Sequence, residues 1–262
     1  MTKLVTAIAA VVLTFAIPAN AQLNRALKNA GKSVGKTVQD AATEMGADLV
    51  ANKVSVKIIE FMDNNNTVAG ENSEYNRRLN NLVSRYTSAG DLSVNYKVYE
   101  NDEANILATA DGSVRVYSGM MDLLNDSELL AVVAIQLGHL ANKDVRDALL
   151  NVASEDNATK ATSAQLEKLL SLSGDRLGTI VNELMQVPYS DDQNQKADSF
   201  AFDLLNSNGA DTYALVSALR KFAAMEEADE EAEENDGELS PAYKYISVNS
   251  NNSSRAYIIS AR

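Results

Sequence analysis

The 262-residue sequence contains no cysteine. Disulfides, thiolate nucleophiles and cysteine-ligated zinc are therefore excluded. It contains one histidine, His139, so no site can be built on two imidazoles. Positive charge is scarce. The 23 Lys and Arg face 36 Asp and Glu, for a net charge of −13. That field repels a phosphate backbone and excludes general nucleic-acid binding. Beyond the N-terminus no stretch approaches the ~18 consecutive apolar residues of a membrane-spanning helix, so the rest of the chain reads as soluble. What remains is an ordinary globular balance, 45% hydrophobic and 23% charged. The length suits one large domain or two small ones.

The first residues read as a targeting segment. Lys3 supplies a positive start, and Leu4–Ile17 is an apolar run of 14 residues. That run is too short to cross a bilayer comfortably. Pro18 ends it, and Ala19-Asn20-Ala21 fits the A-x-A pattern of signal-peptide cleavage. A retained hydrophobic anchor is the competing reading. Cleavage after Ala21 would leave a mature chain of 241 residues starting at Gln22. It would place that chain in a periplasm or outside the cell. An exported chain without disulfides needs a core large enough to stand alone.

Residues 22–74 read as an N-terminal helical segment. Leu23, Leu27, Ala30, Val34, Val38, Ala41 and Met45 recur at helical spacing, and the pattern runs to about residue 62. Arg25, Lys28, Lys32 and Lys36 form a separate basic stripe, which could touch anionic lipid or simply face water. The run Asp63-Asn64-Asn65-Asn66 breaks the pattern. A helix is expected over Tyr75–Tyr86. Leu92–Tyr99 and Val114–Tyr117 alternate with period two, around the turn signal Asp111-Gly112. Together they predict a small antiparallel sheet.

The most informative stretch is Leu129–Ala141. Asn125 followed by Glu128 resembles a capping box, with Asp126 as the other candidate cap. The helix that follows is apolar all round and belongs in the middle of a domain. Its only polar side chains are Gln136 and His139, three apart and so on one face. Unpartnered burial would cost ~1–3 kcal/mol for each. They must find partners or line a cleft. From Asn142 to Gly178 two further helices are expected, with Pro188 a break. Ser190–Leu205 reads as a helix with Asn194, Ala197, Asp198, Ala201 and Leu205 on one face, and Thr212–Met225 as another. Residues 226–240 carry a run of acids that reads as a solvated, mobile segment without the ligand spacing of a calcium loop.

Four separated pieces together resemble the gluzincin family of zinc metallopeptidases that includes HtpX, the CAAX prenyl proteases and BepA. Asn105–Leu124 is similar to the family's edge strand and the approach to its central helix. Ser127–His139 aligns without gaps on the H-E-x-x-H helix. Tyr189–Asp198 matches the segment that ends E-x-x-A-D. Ser247–Arg255 falls on S-T-H-P-x-x-x-x-R. The resemblance covers residues 75–262. It implies an α+β, mainly α fold: a helical metallopeptidase-like domain with a small antiparallel sheet beside the central helix.

The resemblance also assigns positions. The family's first histidine ligand falls on Ile135, its general-base glutamate on Gln136, its second histidine on His139 and its glutamate ligand on Asn194. The oxyanion-assisting histidine falls on Asn249. Asp198 and Arg255 keep their places behind the ligands, with Asp198 the expected partner of His139. His139 is thus the only retained ligand, and no catalytic set is intact. A catalytic zinc needs three protein ligands and an open position, so no cofactor is expected, although active relatives use zinc. The leading expectation is an exported pseudopeptidase that binds peptide or envelope protein. Its family-type peptide-binding edge strand would be Gly112-Ser113-Val114-Arg115-Val116-Tyr117-Ser118. One alternative is an active zinc endopeptidase with atypical ligands, His139 and Asp198 joined by Glu183 or Asp191. The other is a structural envelope protein with a satisfied core histidine.

Overall fold

The computed structural model describes residues 44–154 and 161–262. The expected targeting segment and the basic stripe Arg25, Lys28, Lys32 and Lys36 lie outside the described residues. Helix α1 runs over 44–65. It is followed by α2 (Glu74–Val83), a hairpin of β1 (Ser88–Ala89) and β2 (Leu92–Ser93), and strands β3 (Asn95–Tyr99), β4 (Ile106–Ala108) and β5 (Ser113–Tyr117). Then come α3 (Ser118–Leu123), α4 (Asp126–Ala141), α5 (Asp144–Val152), α6 (Ser163–Leu169) and α7 (Gly174–Leu184). The chain continues with α8 (Asp191–Ser207), α9 (Tyr213–Glu234), α10 (Tyr243–Val248) and α11 (Asn252–Ser260). The fold is α+β and mainly α. No described helix is long and apolar enough to cross a membrane.

Helix α4 is the axis, as its all-round apolar sequence requires. Leu129, Val132, Val133, Leu137 and Leu140 pack into a core with the sheet and α2. On another side, Ala131, Ala134 and Ile135 pack against Ala197, Ala201 and Leu205 of α8 and residues of α9 and α11. The start of α4 is the expected capping box. Asn125 Oδ1 accepts from Glu128 N at 3.0 Å, and Glu128 Oε2 accepts from Asn125 N at 3.1 Å. Buried Glu128 also takes Ser217 Oγ at 2.7 Å and Lys221 Nζ at 2.6 Å, so the cap fastens α9.

The sheet corrects two expectations. Its order is β3-β5-β4. The fold class stands, but the two alternating segments read from sequence are parallel neighbours, with Asn95 opposite Ser113 and Tyr99 opposite Tyr117. The antiparallel partner of β5 is the short β4, which three residues were too few to announce. Gly112–Ser118 is therefore not an edge. β5 is the central strand, paired on both sides and buried throughout. Arg115 bonds not to a peptide but to Asp63 of α1, Nε to Oδ1 at 2.8 Å and Nη2 to Oδ2 at 3.1 Å. Lys97 Nζ and Tyr99 OH reach the same carboxylate at 2.7 Å each. Burial raises the Asp63 pKa, but the three donors outweigh it and hold it down at about 2.

Residues 47–262 form one compact unit. The expected boundary at residue 74 is thus not a packing boundary. From residue 47 onward α1 buries Val50, Val54, Ile58 and Met62 in a core shared with α5, α6 and α7. The acidic run is not simply a solvated segment either. It continues α9 to Glu234, and Asp229 caps the next segment by accepting Ser240 N and Ser240 Oγ at 2.6 and 2.7 Å.

Gly138 sets how closely α4 and α8 approach. A Cβ there would lie 2.6 Å from Ala197 O and 2.7 Å from Ala197 Cα. Backbone atoms cannot step aside as a side chain can. Gly138→Ala is expected to cost about 2–3 kcal/mol and to lower the melting temperature by about 5–10 °C. Gly70→Ala, with nothing within 4 Å, should change it little. Equal melting of the two variants by circular dichroism would contradict this packing.

Candidate active-site cleft

His139 sits on the last turn of α4 with no solvent exposure. Its partner is not Asp198, as expected, but Asp144. His139 Nδ1 lies 2.9 Å from Asp144 Oδ2. The chain makes this contact through a tight turn. Asn142 ends α4, and Lys143 takes a left-handed conformation at φ 63°. Asp144 then opens α5 within reach of the imidazole. Gln193, the third residue of a capping box begun by Ser190, donates Nε2 to Asp144 Oδ1 at 3.1 Å. Asp144 went unrecognised from sequence. The available signal was an acid five residues past the histidine, directly after an Asn-Lys turn.

The carboxylate only accepts, so His139 Nδ1 carries the proton and Nε2 is left as a bare lone pair. No partner meets Nε2. Burial lowers the His139 pKa, with Asp144 opposing. The Tyr189 ring stacks on the imidazole at 3.8 Å and 11°. Its own backbone bonds Val248 O through N at 3.1 Å, which brings the segment before α8 against the end of α10.

The other aligned positions gather around this histidine. Ile135 is one turn before it on α4, fully buried in the contact with Ala197 and Ala201. Asn194 is buried on α8, its Nδ2 directed at Tyr189 O at 3.5 Å and its Oδ1 unpartnered. Gln136 lies beside the Tyr245 hydroxyl, which burial pushes up to about 12. Asn249 donates Nδ2 to Tyr245 O at 2.9 Å, leaving Oδ1 without a partner. Among the described residues, six buried side-chain atoms lack partners at bonding geometry. Two of these, Asp48 Oδ1 and Arg146 Nε, are an ion pair at 2.7 Å. The other four are His139 Nε2, Asn194 Oδ1, Tyr245 OH and Asn249 Oδ1.

Asp198 and Arg255 are together but serve each other. Arg255 Nε donates to Asp198 Oδ2 at 2.8 Å and Nη2 to Oδ1 at 2.7 Å, both side chains buried. Burial opposes the charge on Arg255, and Asp198 outweighs it to raise the pKa. Arg255 Nη1 also reaches Asn249 O at 3.1 Å and Asn252 Oδ1 at 3.2 Å. The pair thus ties the segment between α10 and α11 to α8 and positions Asn249.

The real edge beside this cluster is β4. Asn105 O accepts from Tyr117 N at 3.0 Å, and Thr109 N donates to Ser113 O at 2.9 Å. Leu107 lies opposite Arg115 between them. With period two, the backbone groups of Ile106 and Ala108 therefore point away from β5. Ile106 N is taken by Asn105 Oδ1 at 2.8 Å, and the remaining groups border a cleft of about 60 Å³ whose other walls include Gln136, Tyr189 and Asn249.

A catalytic zinc needs three donors that bind it as anions or neutral imidazoles, plus an open position. The hydrocarbon of Ile135 and the amide oxygen of Asn194 flank the one imidazole, so these residues do not fit zinc. Glu183 and Asp191 do not repair the set. Asp191 is exposed and accepts Asn251 Nδ2 at 2.7 Å. No three His, Cys, Asp or Glu side chains gather as a metal site among the described residues.

Because His139 is the only histidine, its protonation is readable without assignment. A pKa below the ordinary ~6.5 means the unfolded chain binds a proton that the native site refuses. Stability contributed by the neutral imidazole is expected to fall as pH drops below ~6.5 toward the native pKa. An imidazole NMR titration should show a midpoint below that of a free histidine. A midpoint at or above it would contradict the buried, neutral assignment.

Comparison with known proteins agrees with this geometry. The family model described as Peptidase family M48 matches residues 71–257. The chain is 33% identical over 183 residues to Metalloprotease LoiP of Escherichia coli, covering 69% of this chain and 72% of that protein. It is 36% identical over 170 residues to Metalloprotease YcaL of the same organism, covering 63% of this chain and 65% of that protein. With the family model matched over residues 71–257 and a relative 33% identical over 183 residues, the chain belongs to peptidase family M48.

Proposed function

We propose that this chain is an exported M48-family protein that has lost zinc-dependent hydrolysis and retains its cleft to bind peptide or a protein segment. The observation that carries the reading is the unpartnered Nε2 of His139, flanked by Ile135 and Asn194 rather than by two further ligands. The substitutions are coherent in charge. Two buried carboxylates without a cation would repel each other and resist desolvation. Gln136 and Asn194 carry neutral amides instead. Ile135 supplies packing between α4 and α8 where a metal would otherwise link them.

Hydrolysis fails on this reading for two separate reasons. No ligand set holds zinc, and Gln136 cannot take a proton from water, a role worth ~10²–10⁴ in rate. Binding needs neither. An extended segment can add to Ile106 O and to the backbone groups of Ala108, which β5 does not use; Ile106 N already donates to Asn105 Oδ1 at 2.8 Å. The strand offered to it is β4, not Gly112–Ser118. Any contact of Arg25, Lys28, Lys32 and Lys36 with an anionic membrane surface would be additional and weak.

The test starts from the chain recovered after export, whose intact mass should lack residues 1–21. The triple variant Ile135→His, Gln136→Glu, Asn194→Glu should then rebuild the site. Without metal it should be less stable than the parent by several kcal/mol, on the order expected for burying new polar and charged groups. Zinc at about 100 times its dissociation constant should return ~2.7 kcal/mol, a rise of roughly 5–10 °C in melting temperature. The parent should not respond. An equal zinc response in parent and variant, or retention of Leu4–Ile17 in the recovered protein, would contradict the reading.

A further inference from the structure

The cleft holds two neutral carboxamides at one end, Gln136 and Asn249. Asn249 is oriented by its own bond. Nδ2 donates to Tyr245 O at 2.9 Å, so the free atom is the acceptor Oδ1. That oxygen is buried without a partner, and the side chain is 2% exposed. Its position is held from behind by the buried Arg255, which bonds Asn249 O. Asn105, Thr109 and Tyr189 add uncharged polar groups to the lining, and the wall that includes Ile58, Met62, Val181, Leu184 and Met185 is apolar. No Asp, Glu, Lys or Arg lines the cleft, in a chain of net charge −13. Along one side runs β4, with Ile106 O and the backbone groups of Ala108 unused by β5.

These features call for one kind of occupant. An unpaired acceptor requires an N–H or O–H donor. A carboxamide both donates and accepts, as a peptide bond does, and so can pair with one. Walls without charge cannot compensate a buried ammonium or carboxylate, whereas an apolar side chain loses nothing there. The space of about 60 Å³ admits the end of a side chain. Met62 and Met185 are unbranched and can shift to admit more.

We propose that the altered catalytic positions form a carboxamide clamp that holds a peptide bond instead of cutting it. Asn249 Oδ1 accepts the peptide N–H, Gln136 faces the same bond, and one uncharged, apolar side chain enters the wall between Met62 and Met185. This rests on the reading of the cleft as a peptide site and adds its selectivity. The clamp forms no covalent bond and needs no metal.

The test uses the mature chain and fluorescein-labelled heptapeptides of alternating Ala and Thr with Leu, Met, Lys or Glu at the centre, read by anisotropy. Leu and Met peptides should bind at least about tenfold more tightly than Lys and Glu peptides. Scanning N-methylation along the Leu peptide should find one amide whose methylation weakens binding about fivefold or more. That sensitivity should vanish in Asn249→Leu protein, which circular dichroism must first show to be folded. Amides bonded to β4 are also sensitive to methylation, so the clamp is reported by the one amide whose sensitivity is lost in Asn249→Leu protein, or in Asn249→Ala protein if the first variant does not fold. Equal binding of Leu and Lys peptides, or no amide whose sensitivity is lost in the variant, would overturn the clamp while leaving a peptide site. Cleavage of any peptide, or no binding by any of them, would overturn the underlying reading and the clamp with it.

Discussion

The site depends on the approach of α4 to α8. Gly138 lies against the backbone of Ala197, closer than any side chain would permit. The positions aligned with the metal ligands are placed by that contact. Ile135 and His139 flank Gly138 on α4, and Asn194 and Asp198 flank Ala197 on α8. An enzyme of this architecture can join the two helices through a metal. Here the join is apolar, with Ile135 packed on Ala197 and Ala201. The contact therefore does not depend on metal donors, which is consistent with the proposed loss of hydrolysis within a preserved fold.

The charged groups divide accordingly. Those that brace the fold are present and fully paired. Asp198 and Arg255 hold the segment carrying Asn249, Glu128 binds α9, and Asp63 gathers Arg115, Lys97 and Tyr99. Breaking the Asp198–Arg255 pair, buried on both sides, leaves a charge without compensation and costs ~3–5 kcal/mol. The positions aligned with reacting groups carry no charge at all, except that His139 retains an imidazole held neutral by burial. Asp144 then has a second use. It fixes the imidazole tautomer and leaves Nε2 as an acceptor beside Ile135 and Asn194.

Much of this was legible in the sequence, where residue type and period carry the information. The all-round apolar Leu129–Ala141 announced a central helix, and Asn125 with Glu128 announced its cap. Ile135, Gln136 and His139 all lie on that helix. What escaped was long-range pairing. Period two cannot say which strand lies beside which, so β3 and β5 were read as antiparallel and β5 as an edge. β4 has too few residues to show a pattern. Asp144 and Asp198 are both acids near helix starts or faces, and only the turn at Lys143 decides which one meets His139. The acid-rich end of α9 looked like solvated chain because charge density hides helical pairing and capping.

The central claim is that this M48-family chain folds with an imidazole but no zinc centre. Elemental analysis of the mature protein, purified without chelator and dialysed against zinc-supplemented and then metal-free buffer, tests it most directly. The account predicts zinc far below one atom per chain, unchanged in His139→Ala protein. One zinc per chain that disappears in His139→Ala protein would contradict it.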